Sequence, residues 1–167
     1  MAKQDSAVNI RPYTEGDVPA LTAIWNEVVE VGQAFPQTEP LSLKDAQAFF
    51  AEQSYVGVAD VDGEAMGLYI LHPNNVGRCG HVANASYAVA STARGLGLGR
   101  ALVKDSLRQL TPHGFRGLQF NAVVASNVGA MGLYESLGFT RVGMIPGGFL
   151  NKAGNYEDIY IYYHEAV

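Results

Sequence analysis

Apolar residues recur along the chain with two different periods, and the switches between them mark out its elements. Val8-Asn9-Ile10-Arg11 alternates as a short first strand does, and Pro12 closes it. Ala20, Leu21, Ile24, Trp25, Val28 and Val29 then fall at helical spacing. They predict the buried stripe of a helix beginning at Val18-Pro19, with Asp17 as its cap. After a loop over residues 32–41, Ser42 with Asp45 three residues on announces a second helix running through Phe50 and Glu52. Two apolar runs, 55–59 and 65–71, flank Asp62-Gly63, the pattern of strands joined by a tight hairpin turn.

Beyond a turn-rich segment at 73–80, residues 81–89 predict a fourth strand. A helix over 97–110 follows, with Leu98, Leu102, Leu107 and Leu110 on one side. Residues 118–124 read as a fifth strand, 127–137 as a helix ended by Gly138, and Arg141-Val142 and the aromatic run 156–163 as the last strands. The expected class is α/β: a mixed sheet with helices on both faces and a strand–helix–strand crossover in the middle. No repeat, linker or low-complexity segment interrupts it, so residues 1–167 are expected to form a single domain.

Composition narrows the function. With 48% hydrophobic and 16% charged residues the chain reads as globular rather than disordered. A net charge of −5 and a pI near 5.3 argue against a nucleic-acid partner, which needs a basic face, and against an anionic membrane. The single Cys79 excludes an internal disulfide and fits a reducing compartment. Met1 to Ser6 lack the apolar run of a signal peptide, and no stretch approaches the ~20 apolar residues of a membrane span. The expected location is the cytoplasm. His72, His81, His113 and His164 show no ligand spacing, so no metal site is expected.

The chemistry concentrates where the fourth strand meets its helix, at Arg94-Gly95-Leu96-Gly97-Leu98-Gly99-Arg100. Glycines let main-chain N–H groups approach a ligand, and a helix start adds unpaired donors and partial positive charge, together a cradle for phosphate. Arg100-Ala101 follows Gly99 where a Walker A loop needs Lys-Ser/Thr. The glycine spacing, and the lack of an acid around Gln119 to Asn121, also depart from the dinucleotide fingerprint. Arg-x-x-Gly-x-Gly remains, met by Arg94, Gly97 and Gly99. A second segment, Asn127-Val128-Gly129-Ala130-Met131-Gly132-Leu133-Tyr134-Glu135-Ser136-Leu137-Gly138-Phe139, has local readings too: Asn127 as an N-cap, Ala130 and Leu133 as core, Gly138 as a helix stop.

Together, in this order, the two segments resemble the GNAT superfamily of acetyl-CoA-dependent N-acetyltransferases, over nearly the whole chain. The resemblance implies a twisted, mostly antiparallel sheet in which parallel strands four and five splay apart. It implies acetyl-CoA as co-substrate, with the main chain at Tyr87 and Val89 holding the pantetheine arm. A main-chain N–H near Tyr87 or Ala88 would face the thioester oxygen, and the amides from Arg94 through Gly95, Leu96, Gly97, Leu98 and Gly99 to Arg100 would take the pyrophosphate. Asn127 would help bind acetyl-CoA, and Tyr134 would be the general acid for the leaving thiolate. The glutamate that many members carry on the fourth strand is missing from His81-Val82-Ala83-Asn84-Ala85-Ser86-Tyr87.

By alternation Asn84, Ser86 and Ala88 share one face of that strand, and Gln119, Asn121 and Val123 one face of the next. Around Asn84 and Asn121 the chain resembles the subgroup that acetylates azetidine-2-carboxylate and related proline analogues, which implies that both asparagines hold an imino acid. Phe35, in the loop bordering the acceptor site of relatives, would be a further substrate contact, unless that loop is an ordinary surface turn; the loop is also similar to phosphinothricin-type acetyltransferases. A protein or peptide amine as acceptor, and a non-catalytic CoA-binding domain, are the other readings. Tyr156, Tyr160, Tyr162 and Tyr163 with Asp158 offer either sheet packing or a homodimer contact.

Overall fold

The computed structural model describes residues 6–167; the leader reading of residues 1–5 lies outside them. The elements follow the order the periodicity predicts: β1 (Val8–Pro12), α1 (Val18–Val31), α2 (Leu43–Ala51), β2 (Tyr55–Val61), β3 (Glu64–Pro73), β4 (Val82–Val89), α3 (Leu98–Gln109), β5 (Gly117–Val124), α4 (Val128–Ser136), β6 (Thr140–Leu150) and β7 (Tyr156–Glu165). The strands form a 7-stranded sheet in the order β1-β2-β3-β4-β5-β7-β6. Every neighbouring pair is antiparallel except β4 and β5, which α3 links as a parallel crossover.

Local chemistry explains most of these elements. At the β2–β3 turn both Asp62 (φ 52°) and Gly63 (φ 91°) are left-handed, the geometry that matches the twist of the flanking strands. Ser42 caps α2 by accepting from the N–H of Asp45 at 3.1 Å. On α1 the buried positions are Val18, Leu21, Thr22, Ile24, Trp25 and Val29, while Ala20 is exposed and Val28 half-buried. The face is thus rotated slightly from the expected stripe.

Tyr69 donates to Asp105 at 2.6 Å, and the hydroxyls of Tyr87 and Ser106 lie 2.7 Å apart, which directs both tyrosines toward α3. Their strand neighbours Ile70, Asn84 and Ser86 therefore point to the opposite face, where α1 packs on β3 and β4 and α2 on α1. The sheet has helices on both sides, and one large core cluster runs from Val18 to Tyr162.

Three expectations change. Asp17 stands at the N-cap position of α1, yet its carboxylate does not cap the helix. It takes two hydrogen bonds from Arg11 (2.8 and 2.9 Å) and one from the Thr14 N–H (2.8 Å), pinning β1 to the start of α1. Strand β6 is far longer than Arg141-Val142, because an edge strand tolerates Pro146 and the irregular register around it. Helix α4 buries no residue fully, so Ala130 and Leu133 are half-buried rather than core.

Arg11 holds the Asp17 carboxyl below the ordinary carboxylate range. A depressed folded-state pKa contributes stability above the unfolded pKa and loses it as pH falls through the folded value. Asp17→Asn is therefore expected to cost about 1–3 kcal/mol at pH 7, the usual worth of hydrogen bonds to a charged group. The difference from the parent should shrink below about pH 4, as urea unfolding at neutral and acid pH will measure.

Candidate functional site

Strands β4 and β5 pair only at Val82↔Gly117 and Ala83↔Leu118, and then part. Two main-chain bonds fix which way β4 faces beyond that point: Asn74 N–H to Val82 O and Ala90 N–H to Met66 O, both 2.8 Å. The β3–β4 register runs unbroken between them, and hydrogen-bonded pairs alternate along an antiparallel ladder. Even-numbered residues of β4 therefore turn their N–H and C=O groups to β3. Ala85, Tyr87 and Val89 turn theirs into the gap. The Ala88 N–H faces Leu68, so of the two expected donors it is Tyr87 that looks across the opening.

The far wall is shaped by a bulge. Phe120 pairs with Tyr162 and Val123 with Tyr160, so Asn121 and Ala122 together oppose one residue of β7. The extra residue flips the alternation beyond it. Val123 joins Phe120 in the main core, while Ala122 and Val124 pack with Phe149 and Ile159. The expected face of Gln119, Asn121 and Val123 holds only for the first two, whose side chains bond at 2.9 Å. Asn121 also donates to Asn74 Oδ1 at 2.6 Å. Asn84 Nδ2 donates to Gln119 O at 3.0 Å, bridging the strands where their main chains separate.

A cavity of about 620 Å³ fills this region, lined by Asn84 and Asn121, by Tyr87, by Phe35 from the α1–α2 loop, and by Asn127 and Tyr134 from α4 and its cap. Because lining comes from both sides of the sheet, the cavity passes through the gap between β4 and β5. Phe35 is itself held against Trp25, with ring centroids 4.4 Å apart. Asn127 is an N-cap as well as a wall, its Oδ1 accepting from Ala130 N–H at 3.3 Å.

Tyr134 sits against Phe120 (4.5 Å) and Phe139 (5.6 Å), with Tyr162 at 5.9 Å. Burial among these rings, with the Tyr162 hydroxyl nearby, pushes its phenol up to about 12. Such a group keeps its hydrogen and stands in the cavity as a hydrogen-bond donor. Its helix is anchored from the far side, where Tyr162 donates to Glu135 at 2.8 Å and Arg141 bonds the Tyr162 hydroxyl at 3.1 Å.

A second cavity of about 230 Å³ adjoins the first and shares Ala34 and Asn127 with it; Val89 and Arg94 also line it. Past it the chain makes the glycine turn. Gly95 (φ 84°) and Gly97 (φ 73°) are left-handed with open space where a Cβ would stand, so the main chain is both contorted and accessible. Ala101 is the first residue of α3 to donate to a turn carbonyl, Gly97 O at 3.1 Å. The N–H groups of Leu98, Gly99 and Arg100 remain as the helix's unpaired first-turn donors. Main-chain N–H groups, a helix start and Arg94 on one side are a donor set that fits a diphosphate.

Leu96 is exposed, whereas the Leu98 side chain is buried and offers a ligand only its main chain. Arg100 reaches away from the turn to Ser136 Oγ at 3.0 Å, tying α3 to α4.

Several residues of the site are ones the sequence did not single out. Glu27 on α1 accepts from Ser91 N–H at 2.9 Å and so steadies the turn that leads into the glycines. Phe49, Glu52, Gln53 and His72 line the larger cavity. Their signal lies in pairing, since His72 stands opposite Asn84 across β3 and β4. Among the described residues no group of three or more His, Cys, Asp or Glu could hold a metal ion, and no helix is long and apolar enough to cross a membrane.

Comparison with known proteins agrees with this geometry. The model of the acetyltransferase (GNAT) family matches residues 21–139. The N-acetyltransferase aca1 of Schizosaccharomyces pombe is 31% identical over 96% of this chain and 85% of its own length. The phosphinothricin N-acetyltransferase of Alcaligenes faecalis is 28% identical over 83% of this chain and 73% of its own. The structure of a GCN5-related N-acetyltransferase from Kribbella flavida superposes with a TM-score of 0.87 at 33% identity, covering 95% of this chain and 98% of that one. A strand pair parted around a polar cavity, an unpaired main-chain edge and a glycine turn at a helix start thus stand in a chain that belongs to the GNAT family of acetyl-CoA-dependent N-acetyltransferases.

Proposed function

We propose that this chain acetylates the amine of a small amino or imino acid, of the azetidine-2-carboxylate kind, by direct attack on acetyl-CoA in a ternary complex. The observation that carries this reading is the wall of the larger cavity: the side-chain amides of Asn84 and Asn121 share a space of about 620 Å³ with Phe35, and Glu52 is the one charged residue among its described lining. Neutral amides and an aromatic ring suit a compact zwitterion, with Oδ1 of Asn84 as an acceptor for the amine and the Asn121–Asn74 pair as donors that can turn toward a carboxylate. The phosphinothricin-type relative supports a second reading, an amino acid of that class as acceptor.

Acetyl-CoA supplies the activated acyl group. On this reading the Tyr87 N–H polarises the thioester oxygen, a contribution of roughly 3 kcal/mol for one such donor. Val89 and Asn127 line the arm's path, Arg94 and the main chain of residues 95–100 hold the diphosphate, and the Tyr134 phenol protonates the departing sulfur. The chain works in the cytoplasm as one domain over 1–167. A homodimer would form over the exposed Tyr156 and the apolar outer strand at Val142, Met144 and Ile145.

Thiol release from acetyl-CoA with a panel of proline analogues, phosphinothricin-like amino acids, polyamines and peptides tests the reading; turnover of the first two groups is expected, and turnover of peptides alone would reject it. Tyr134→Phe is expected to lower kcat by about 10- to 100-fold, the low end for general acids because a thiolate leaves readily. Its acetyl-CoA affinity, followed by calorimetry, should stay close to the parent's. Gly97→Ala must hold an L-residue in a left-handed conformation at a cost of about 1–2 kcal/mol. Its acetyl-CoA Kd should rise roughly tenfold while the amine site is left intact.

A further inference from the structure

We propose that His72 is the proton acceptor for the incoming amine, taking the part that no carboxylate on β4 or β5 can play. The inference rests on the amine-transfer reading above and deepens it. His72 lies on β3 directly opposite Asn84, and both line the larger cavity at the level where β4 and β5 part. Its Nδ1 is 2.9 Å from Pro73 O. A carbonyl oxygen only accepts, so in the neutral ring Nδ1 carries the hydrogen and Nε2 keeps its lone pair. The residue is half-buried in the cavity wall.

Apart from Glu52, the other polar groups of the cavity are amides and hydroxyls that take no proton near neutral pH. Asn84 Nδ2 is bonded to Gln119 O, Asn121 is bonded through both amide atoms, and an amide takes no proton near neutral pH. The Tyr87 hydroxyl points to Ser106 on the far face of the sheet, and the Tyr134 phenol is a donor. Gln53 donates to Phe49 O and is uncharged. Glu52, at the end of α2, is the one charged residue among the described lining residues and is itself exposed to solvent. Ile70 on β3 and Phe35, Pro36 and Gln37 from the α1–α2 loop, which also line the cavity, do not titrate. Histidine is left.

The proton balance closes. An acceptor arriving as an ammonium gives up two protons. The first goes to Nε2 of His72 and on to solvent, freeing the lone pair that forms the new N–C bond. The second leaves nitrogen as the C–S bond breaks and restores, through water, the proton that Tyr134 hands to sulfur. One amide, one thiol and one proton in solution result, with no oxidant or metal.

The test compares the parent with His72→Gln and His72→Ala, using acetyl-CoA and the best amine of the panel between pH 6 and 9. A general base contributes about 10²- to 10⁴-fold, so both variants should lose at least about 100-fold in kcat/KM, with KM for acetyl-CoA unchanged. Without the base, the remaining activity of both variants should follow the free-amine fraction, so that the loss is largest near pH 6 and narrows toward pH 9, and added imidazole should restore part of the rate in His72→Ala alone. A readout free of turnover is the nitrogen NMR spectrum of the protein, where His72 should be the Nδ1–H tautomer at pH 8. Parent-like kcat/KM in His72→Ala, a loss equal at every pH without imidazole rescue, or an Nε2–H tautomer would each overturn the assignment. A parent that binds acetyl-CoA yet releases thiol with no amine would overturn the transfer reading itself, and His72's part with it.

Discussion

The structure depends on one interruption: a parallel strand pair that hydrogen-bonds for two residues and then stops. Main-chain N–H and C=O groups left unpaired away from water cost about 1–3 kcal/mol each, so a sheet does not open in its middle without something to fill it. Here the opening leaves the inner edge of Ala85, Tyr87 and Val89 available, and an extended ligand can complete it as a further strand would. The acyl donor used by this family, with its amide-bearing arm, has the chemistry such an edge accepts.

Everything around the gap keeps it open. The bulge at Asn121-Ala122 bends β5 away while β7 still pairs with it on either side. Asn84 closes the last exposed carbonyl at Gln119, so the parting begins at a defined residue and does not fray. The stacked rings of Phe120 and Phe139, 4.8 Å apart, brace β5 against the end of α4. Arg141 over the Tyr160 ring at 3.9 Å ties β6 to β7 beneath them. Glu27 joins the acceptor-side helix to the glycine turn, so the two ends of the cavity share one support.

Most of the fold could be read from the chain alone, because its signals are local. Apolar period set α1 and α3, the Asp62-Gly63 pair set the hairpin, and Ser42 set the start of α2. The glycine turn and Tyr134 were visible for the same reason, since each belongs to a contiguous segment whose spacing carries meaning. What escaped was whatever depends on pairing across distance. Asp17 looked like a cap because nothing nearby announces Arg11 as its partner. Simple alternation puts Val123 on the wrong face because a bulge is a property of two strands, and β7 lies more than thirty residues further on. His72 carries no spacing signal in the sequence, for it acquires Asn84 as a neighbour only through the β3–β4 register. Strand β6 was hidden by Pro146 and the glycines around it, residues that usually punctuate a chain and that only an outermost strand can absorb.

The aromatic nest around Tyr134 has a consequence for charge. Burial pushes the phenol's pKa up to about 12, so it keeps its hydrogen throughout the neutral range. No titration has to occur near neutral pH before that hydroxyl can donate. Whatever enters the cavity beside Tyr134 therefore meets a hydroxyl that offers a hydrogen rather than a negative charge.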